Sequence, residues 1–294
     1  MNFSIIVPTY NEENDIDILL TSLNDQSYPA YEIIFVDGKS SDETIKKLEL
    51  FKGQNNNIKI YSDKRFDRNR ARNFGIKISS GDIIILLNAD VRLSRNFLYH
   101  LKQYYEFNKK ADAVLINSRP ILDENNRIAN YFLYNHIKNY SDDIYQKVDW
   151  TEGFSCKKIN AYFPFVKSVD LKGGEDSLYL KKFESKDYFL SLCIEHRTPI
   201  TYKDFIKEKI SRGKGNIHAH IYFLNVNYIL LFLKIFLKLL LHLTLLKYFK
   251  FFLSKNFYKY IDLFFIEGIS ISIGELIEIS KYRELKPKNL LLKG

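Results

Sequence analysis

Residues 3–16 read FSIIVPTYNEENDI: an apolar run, Phe3–Val7, is stopped by Pro8 and followed at once by polar and acidic residues. The same shape returns in EIIFVDGKSSDET (residues 32–44) and in GDIIILLNAD (residues 81–90). Short, continuous apolar runs of this kind belong to strands buried on both faces, as in a parallel sheet covered by helices. In an open sheet of that type the ligand lies beyond the carboxyl ends of the strands. The three runs carry Asn11, Glu12, Asp37, Asn88 and Asp90 to that edge. A core has no need of this set, which suits a nucleoside diphosphate held together with a divalent metal.

Outward from these runs the chain alternates β-α-β-α through its first half. Helices are expected over Asp15–Asn24, after the Gly38–Asp42 turn, over Asn69–Ser79 and around Arg95–Phe107, with further strands at Ile58–Tyr61 and Ala113–Ile116. Between Asn117 and Val169 the pattern weakens, and Ser177–Phe183 reads as the start of a helix. The two cysteines, Cys156 and Cys193, match neither a metal spacing nor a disulfide framework, which points to a reducing, intracellular setting. The N-terminus enters its first strand with no basic leader, so no signal peptide is expected.

Charge is distributed unevenly. The net charge of +9 resides in residues 201–259, where 11 Lys and Arg face only Asp204 and Glu208. That stretch includes Ile221–Leu246, rich in Leu, Ile and Phe, with Lys234, Lys238 and His242 recurring every four residues. Basic charge interleaved with long aliphatic runs suggests an anionic membrane surface and not nucleic acid. Two lysines near mid-helix cost roughly 2.5–3.5 kcal/mol each on insertion, nearly cancelling the aliphatic gain, so a helix lying in the interface with its lysines at the head groups is expected. A helical hairpin packed on the rest of the protein is the competing reading.

Four segments together resemble the family 2 glycosyltransferases of GT-A fold. VPTYNEEND (7–15) matches the family's first-strand motif and VDGKSSDET (36–44) its second; RNRARNFGIKISSGDIIILLNAD (68–90) matches the helix and strand leading to its Asp-X-Asp element, and GGEDSLYL (173–180) its acidic acceptor-side motif. The metal element here reads Asn88-Ala89-Asp90, so the first acid is replaced. The resemblance implies a Rossmann-like, mostly parallel sheet flanked by helices over residues 1–215; the hydropathy pattern adds a basic, hydrophobic helical segment over 216–294. It also implies that Pro8, Thr9, Tyr10, Asn11, Glu12 and Asp37 hold the nucleoside, that Arg72, Asn88 and Ala89 also bind the nucleotide sugar, and that His196 reaches the metal or diphosphate.

The residues bear local readings beside these. A divalent cation such as Mn²⁺ or Mg²⁺ needs only one or two protein carboxylates, so Asp90 suffices as a ligand, with Asn88 adding an amide oxygen. Asn11 and Asp15 also suit a helix cap, and Asp37 the first position of a turn. Arg68 and Arg72 share a helix face while Arg70 points into solvent. Glu175 and Asp176 follow two glycines that let the backbone turn toward a cleft. Asp176 is the expected base for an acceptor hydroxyl, with Glu175 next in line; an acidic helix N-terminus is the bland alternative. Trp150 is either a sugar platform or a core anchor, and Arg212-Gly213-Lys214-Gly215 either a basic flap or a linker.

Taken together, these features imply an inverting, metal-dependent glycosyltransferase at the cytoplasmic face of the cell membrane, moving sugar from a nucleotide donor to a lipid-linked or glycan acceptor. A nucleotidyltransferase would need a glycine-rich, basic loop after the first strand, and PTYNEEND is acidic and has no glycine. A non-catalytic membrane protein retaining the fold is the other alternative, for which Asn88 is the best support.

Overall fold

The computed structural model describes residues 1–121, 123, 125–139, 153–161, 179–180, 183, 185–224, 228–243 and 259–281. Its strands are β1 (Phe3–Thr9), β2 (Glu32–Asp37), β3 (Ile58–Ser62), β4 (Ile83–Leu86), β5 (Val91–Leu93), β6 (Ala113–Pro120), β7 (Ser155–Lys157) and β8 (Asp187–His196). The helices are α1 (Ile16–Asn24), α2 (Thr44–Gln54), α3 (Arg68–Ile78), α4 (Phe97–Phe107), α5 (Arg127–Asn139), α6 (Tyr202–Leu224), α7 (Tyr228–Leu243) and α8 (Ile261–Lys281). The chain forms two compact units, which part at residues 198/199; the second also takes residues 125–131. The boundary expected at residue 215 falls inside α6.

The first unit is built on one sheet of order β3-β2-β1-β4-β7-β6-β8-β5. β3, β2, β1 and β4 are parallel; β7 runs against both β4 and β6, β8 follows β6, and β5 runs against β8. Alternation along β1 divides the core between the faces. Phe3, Ile5 and Val7 join Leu19, Leu48 and Leu101 of the helices on one side, while Ile6 joins Ile84, Leu86 and Phe154 on the other. Burial on both faces explains why these runs carry so little polar interruption. α3 packs close to β1 because Gly75 has no side chain: a Cβ there would lie 2.4 Å from Ile6 Cγ2.

β5, β7 and β8 went unforeseen, for two physical reasons. β5 and β7 have three residues each, too few for a period. The pairing of β6 with β8 shifts register between Ile116 and Asn117, which breaks the alternation at the point where the expected strand ended.

The second unit, described by itself, brings α6 and α8 together backbone to backbone. A Cβ on Gly213 would lie 2.1 Å from Ile271 O, and one on Gly274 2.1 Å from Ile210 O. Arg212-Gly213-Lys214-Gly215 is therefore mid-helix and neither flap nor linker. Polar ties reinforce the contact. The buried Lys209 Nζ lies 3.1 Å from Glu267 Oε1 and Asn216 Nδ2 donates to Glu275 Oε1 at 3.0 Å; Arg127 of α5 also holds Asp262 of α8 with both terminal guanidinium nitrogens.

The lysine stripe of α7 also differs from expectation. Lys238 Nζ donates to both carboxylate oxygens of Glu275, at 2.8 and 2.9 Å, and His242 is buried. Only Lys234 of the three faces outward. The buried carboxylate of Glu275 on α8 requires a cation, and the half-buried Lys238 supplies one.

Gly274→Ala tests the close contact between α6 and α8. The added methyl meets a backbone oxygen that cannot rotate away, so the variant should lose about 1–3 kcal/mol of stability. A reduced circular-dichroism melting temperature, with Gly53→Ala at an open position as control, is the measurement.

Candidate active site

Register brings the carboxyl ends of three strands side by side: Thr9 pairs with Asp37, and Asp37 with Ser62. The Asp37 carboxylate is fully buried at this junction. Its Oδ1 accepts from Thr9 Oγ1 at 3.1 Å and from Ser40 Oγ; its Oδ2 accepts from Ser40 N and from Ser62 Oγ, both at 2.8 Å. These bonds use the acceptor capacity foreseen for a base or ribose, and Asp37 acts as a brace beneath the loops.

The loop after β1 is laced to the loop after β2. Asn11 N donates to Ser40 Oγ at 2.8 Å, and Asn11 Oδ1 accepts from Ser41 N at 2.9 Å. Glu12 N donates to Thr44 Oγ1, and Glu13 N to Asp42 Oδ2. Asn11 (φ 56°) and Lys39 (φ 69°) take left-handed backbone to make this lacing, a conformation asparagine tolerates better than most residues. Gly38 is needed for approach, since a Cβ there would lie 2.7 Å from Phe66 O. Asn11 thus binds across the two loops, and Asp15, at the N-cap of α1, makes no side-chain cap bond.

Above these ends opens a cleft of about 730 Å³. Pro8, Thr9, Tyr10, Glu12, Asn88, Ala89 and Asp90, all singled out from the sequence, line it. Lys39, Lys64, Arg65, Arg68 and Arg70 line it too, against Glu12, Asp67 and Asp90 as the acids. This cationic excess suits a diphosphate. Arg70 is exposed, as expected, and also lines the cleft, whereas Arg72 is buried, with Nη2 3.3 Å from Asn88 Oδ1. Lys64 and Arg65 were legible in principle, because they follow β3 as Tyr10 follows β1. A larger hollow of about 830 Å³ lies beside α1 and β5, lined by Asp17, Thr21, Arg92 and Arg95 among others. It gathers none of the residues that follow β1, β2 and β4, so the chemistry is assigned to the smaller cleft.

Asp90 and His196 meet because β5 pairs with β8, matching Val91 with His196. His196 Nε2 lies 3.0 Å from Asp90 Oδ2. Arg197 secures the junction: its N–H donates to Asp90 O at 3.0 Å, and its guanidinium reaches Asn14 O and the Asp15 carboxylate. Burial works to raise the Asp90 carboxyl, but the His196 imidazole, with Arg68 behind it, holds it below the ordinary carboxylate range. Among the described residues no group of three or more His, Cys, Asp and Glu is arranged to hold a metal. Glu175, Asp176 and Trp150 lie outside the described residues.

Glu12 stands apart electrostatically. Burial first, then the nearby charges of Asp90 and Asp15, push its carboxyl up to about 7. The folded protein therefore binds a proton that the unfolded chain has released, between the ordinary value of 4.5 and about 7. Stability from this group is full below pH 4.5 and is lost as pH rises toward 7, on the order of 1–3 kcal/mol. Glu12→Gln should flatten that slope in urea titrations of the metal-free protein; an unchanged slope would assign it to other groups.

Comparison with known proteins agrees with this arrangement. The family model described as Glycosyl transferase family 2 matches residues 4–165. The dolichyl N-acetyl-alpha-D-glucosaminyl phosphate 3-beta-D-2,3-diacetamido-2,3-dideoxy-beta-D-glucuronosyltransferase of Methanococcus voltae is 30% identical over 232 residues, 72% of either protein. Among solved structures, S. aureus TarS 1–349 in complex with UDP-GlcNAc superposes with a TM-score of 0.54 at 16% identity, covering 97% of this chain and 93% of that one. The mannosyltransferase PcManGT of Pyrobaculum calidifontis, in complex with GDP-Man and Mn²⁺, gives 0.59 at 18% identity, covering 77% and 65%. With a family model over more than half its length, and the strand-end cleft that such a fold provides, the chain belongs to glycosyl transferase family 2 and is a glycosyltransferase of GT-A fold.

Proposed function

We propose that this protein is an inverting glycosyltransferase that takes sugar from a nucleotide diphosphate donor, with a divalent metal, and passes it to a lipid-linked or glycan acceptor at the cytoplasmic face of a membrane. The observation that carries the reading is the Asp90–His196 pair at a cleft lined by five basic residues. The solved complexes of TarS with UDP-GlcNAc and of PcManGT with GDP-Man and Mn²⁺ support the donor and the metal. The dolichyl phosphate in the name of the M. voltae relative supports a lipid-linked acceptor.

The donor set fits Mn²⁺ or Mg²⁺. Asp90 is held ionised, and the His196 Nε2 that pairs with it becomes a second donor to a cation once the imidazole gives up its proton and that pairing. Two protein ligands leave the remaining positions to phosphate oxygens and water, as these cations prefer. When bound, the cation supplies Lewis-acid stabilisation of the charge that develops on the departing diphosphate. The chain's own groups do the rest. Lys39, Lys64, Arg65, Arg68 and Arg70 attract and orient the diphosphate, and Tyr10, 61% exposed, offers a ring face to the base. Arg197 keeps the Asp90 turn and the loop at Asn14–Asp15 in one arrangement. Asp176, with Glu175 as its neighbour, is proposed to take the acceptor hydroxyl's proton as that oxygen attacks the anomeric carbon opposite the leaving group.

Two variants test this. Asp90→Ala should reduce Mn²⁺-dependent transfer by at least about 10²-fold with the circular-dichroism spectrum unchanged, and Asn88→Ala should cost less, because its oxygen already serves Arg72. Near-normal transfer by Asp90→Ala would refute the metal assignment. Asp176→Asn should lower turnover by roughly 10²–10⁴ while donor binding survives. Equal loss of donor affinity would make Asp176 a binding residue instead.

A further inference from the structure

α7 carries two apolar stripes, one packed within the helical unit and one largely exposed. Leu231, Ile235, Lys238 and His242 recur at i, i+4, i+7 and i+11 and face inward. Leu231 and Ile235 pack with Ile217 of α6 and Ile279 of α8, Lys238 pairs with Glu275, and His242 is buried. On the opposite face Ile229, Leu233, Phe236, Leu237 and Leu240 are between 41% and 64% exposed. Rotating the helix to hide them would draw Lys238 away from Glu275 and leave that carboxylate, 7% exposed, without its lysine. The inner contacts therefore hold the outer stripe in place.

We propose that this outer stripe of α7 is a lipid-inserting face, by which the helical unit lies in the interface of an anionic phospholipid bilayer. The inference rests on the membrane reading of the proposed function and adds which atoms enter the lipid. It also revises the role first given to Lys238. The aliphatic face enters the acyl boundary, Lys238 stays paired with Glu275, and Lys234, exposed on the same helix, reaches the head groups.

Composition supports a helix in the plane of the membrane: Lys234 and Lys238 stand among its aliphatic residues, and each would be costly in a helix crossing the hydrocarbon core. Among the described residues no helix is long and apolar enough to cross a membrane. Charge selects lipid over a second copy of the chain. Residues 201–294 hold 16 Lys and Arg against 7 Asp and Glu, so pairing two such units brings like charge together, whereas an anionic leaflet is complementary.

Flotation of the full chain with phosphatidylcholine–phosphatidylglycerol vesicles tests the proposal. Wild type should float, and Leu233→Gln/Leu237→Gln should weaken partitioning by about tenfold or more. Leu50→Gln, an equally exposed leucine on α2, should float as wild type does. Melting temperature and donor turnover in detergent, read on the same samples, separate a lipid defect from misfolding and from loss of the transferase itself. If wild type floats and the double variant floats equally well, this face is not the lipid contact, although the membrane reading stands. If wild type does not float, both fail. A dimer that the double variant splits, without flotation, would make a second copy the occupant and overturn the proposal.

Discussion

A carboxylate shut away from water must have its oxygens satisfied by protein donors, and at Asp37 that requirement organises the catalytic unit. Its partners come from the end of β1 (Thr9), the end of β3 (Ser62) and the loop after β2 (Ser40). Satisfying one charge thereby ties three strand ends together. From that point the loops bond to each other, with Asn11 across to Ser40 and Ser41 and Glu12 to Thr44. The cleft floor is in this sense a consequence of a buried charge, with the polar residues of the cleft standing on that brace.

The second half of the site arrives from far along the chain. β8 lies between β6 and β5, and its last residue pairs with Val91, directly after Asp90. That register sets His196 beside Asp90 and lets Arg197 reach back to Asn14 and Asp15. The electrostatic results follow from this gathering. His196 and Arg68 keep Asp90 ionised despite burial, while Glu12, buried beside Asp90 and Asp15, is pushed toward neutrality. Two carboxyls near one cleft thus differ because one faces cations and the other faces like charge.

In the helical unit, hydrophobicity and charge divide in a way that a helical wheel alone assigns in reverse. Lys238 and His242 share a stripe that looks solvent-directed, yet that stripe packs inward because α8 offers Glu275 there. Close approach of α6 to α8 through Gly213 and Gly274 brings that carboxylate within reach. The aliphatic residues of α7 that remain outside follow from which stripe the acid claimed.

The sequence by itself determined what depends on neighbouring residues. Strands β1 to β4 and helices α1 to α4 were legible, since burial on both faces writes itself as contiguous apolar runs and polar residues mark the turns between them. The strand-end positions were legible for the same reason, and with them Thr9, Tyr10, Glu12, Asn88 and Asp90 of the cleft. Tertiary structure alone decided the partners of charged groups: that Asp37 faces Thr9, Ser40 and Ser62, that Arg72 is buried against Asn88 while Arg70 lines the cleft, and that Lys238 meets Glu275. It also decided β8, whose pairing passes through a register shift with β6. The physical reason is the same in each case. Periodicity records which face of an element is buried, whereas a charge is placed by an opposite charge or a hydrogen-bond donor that another part of the chain brings to it.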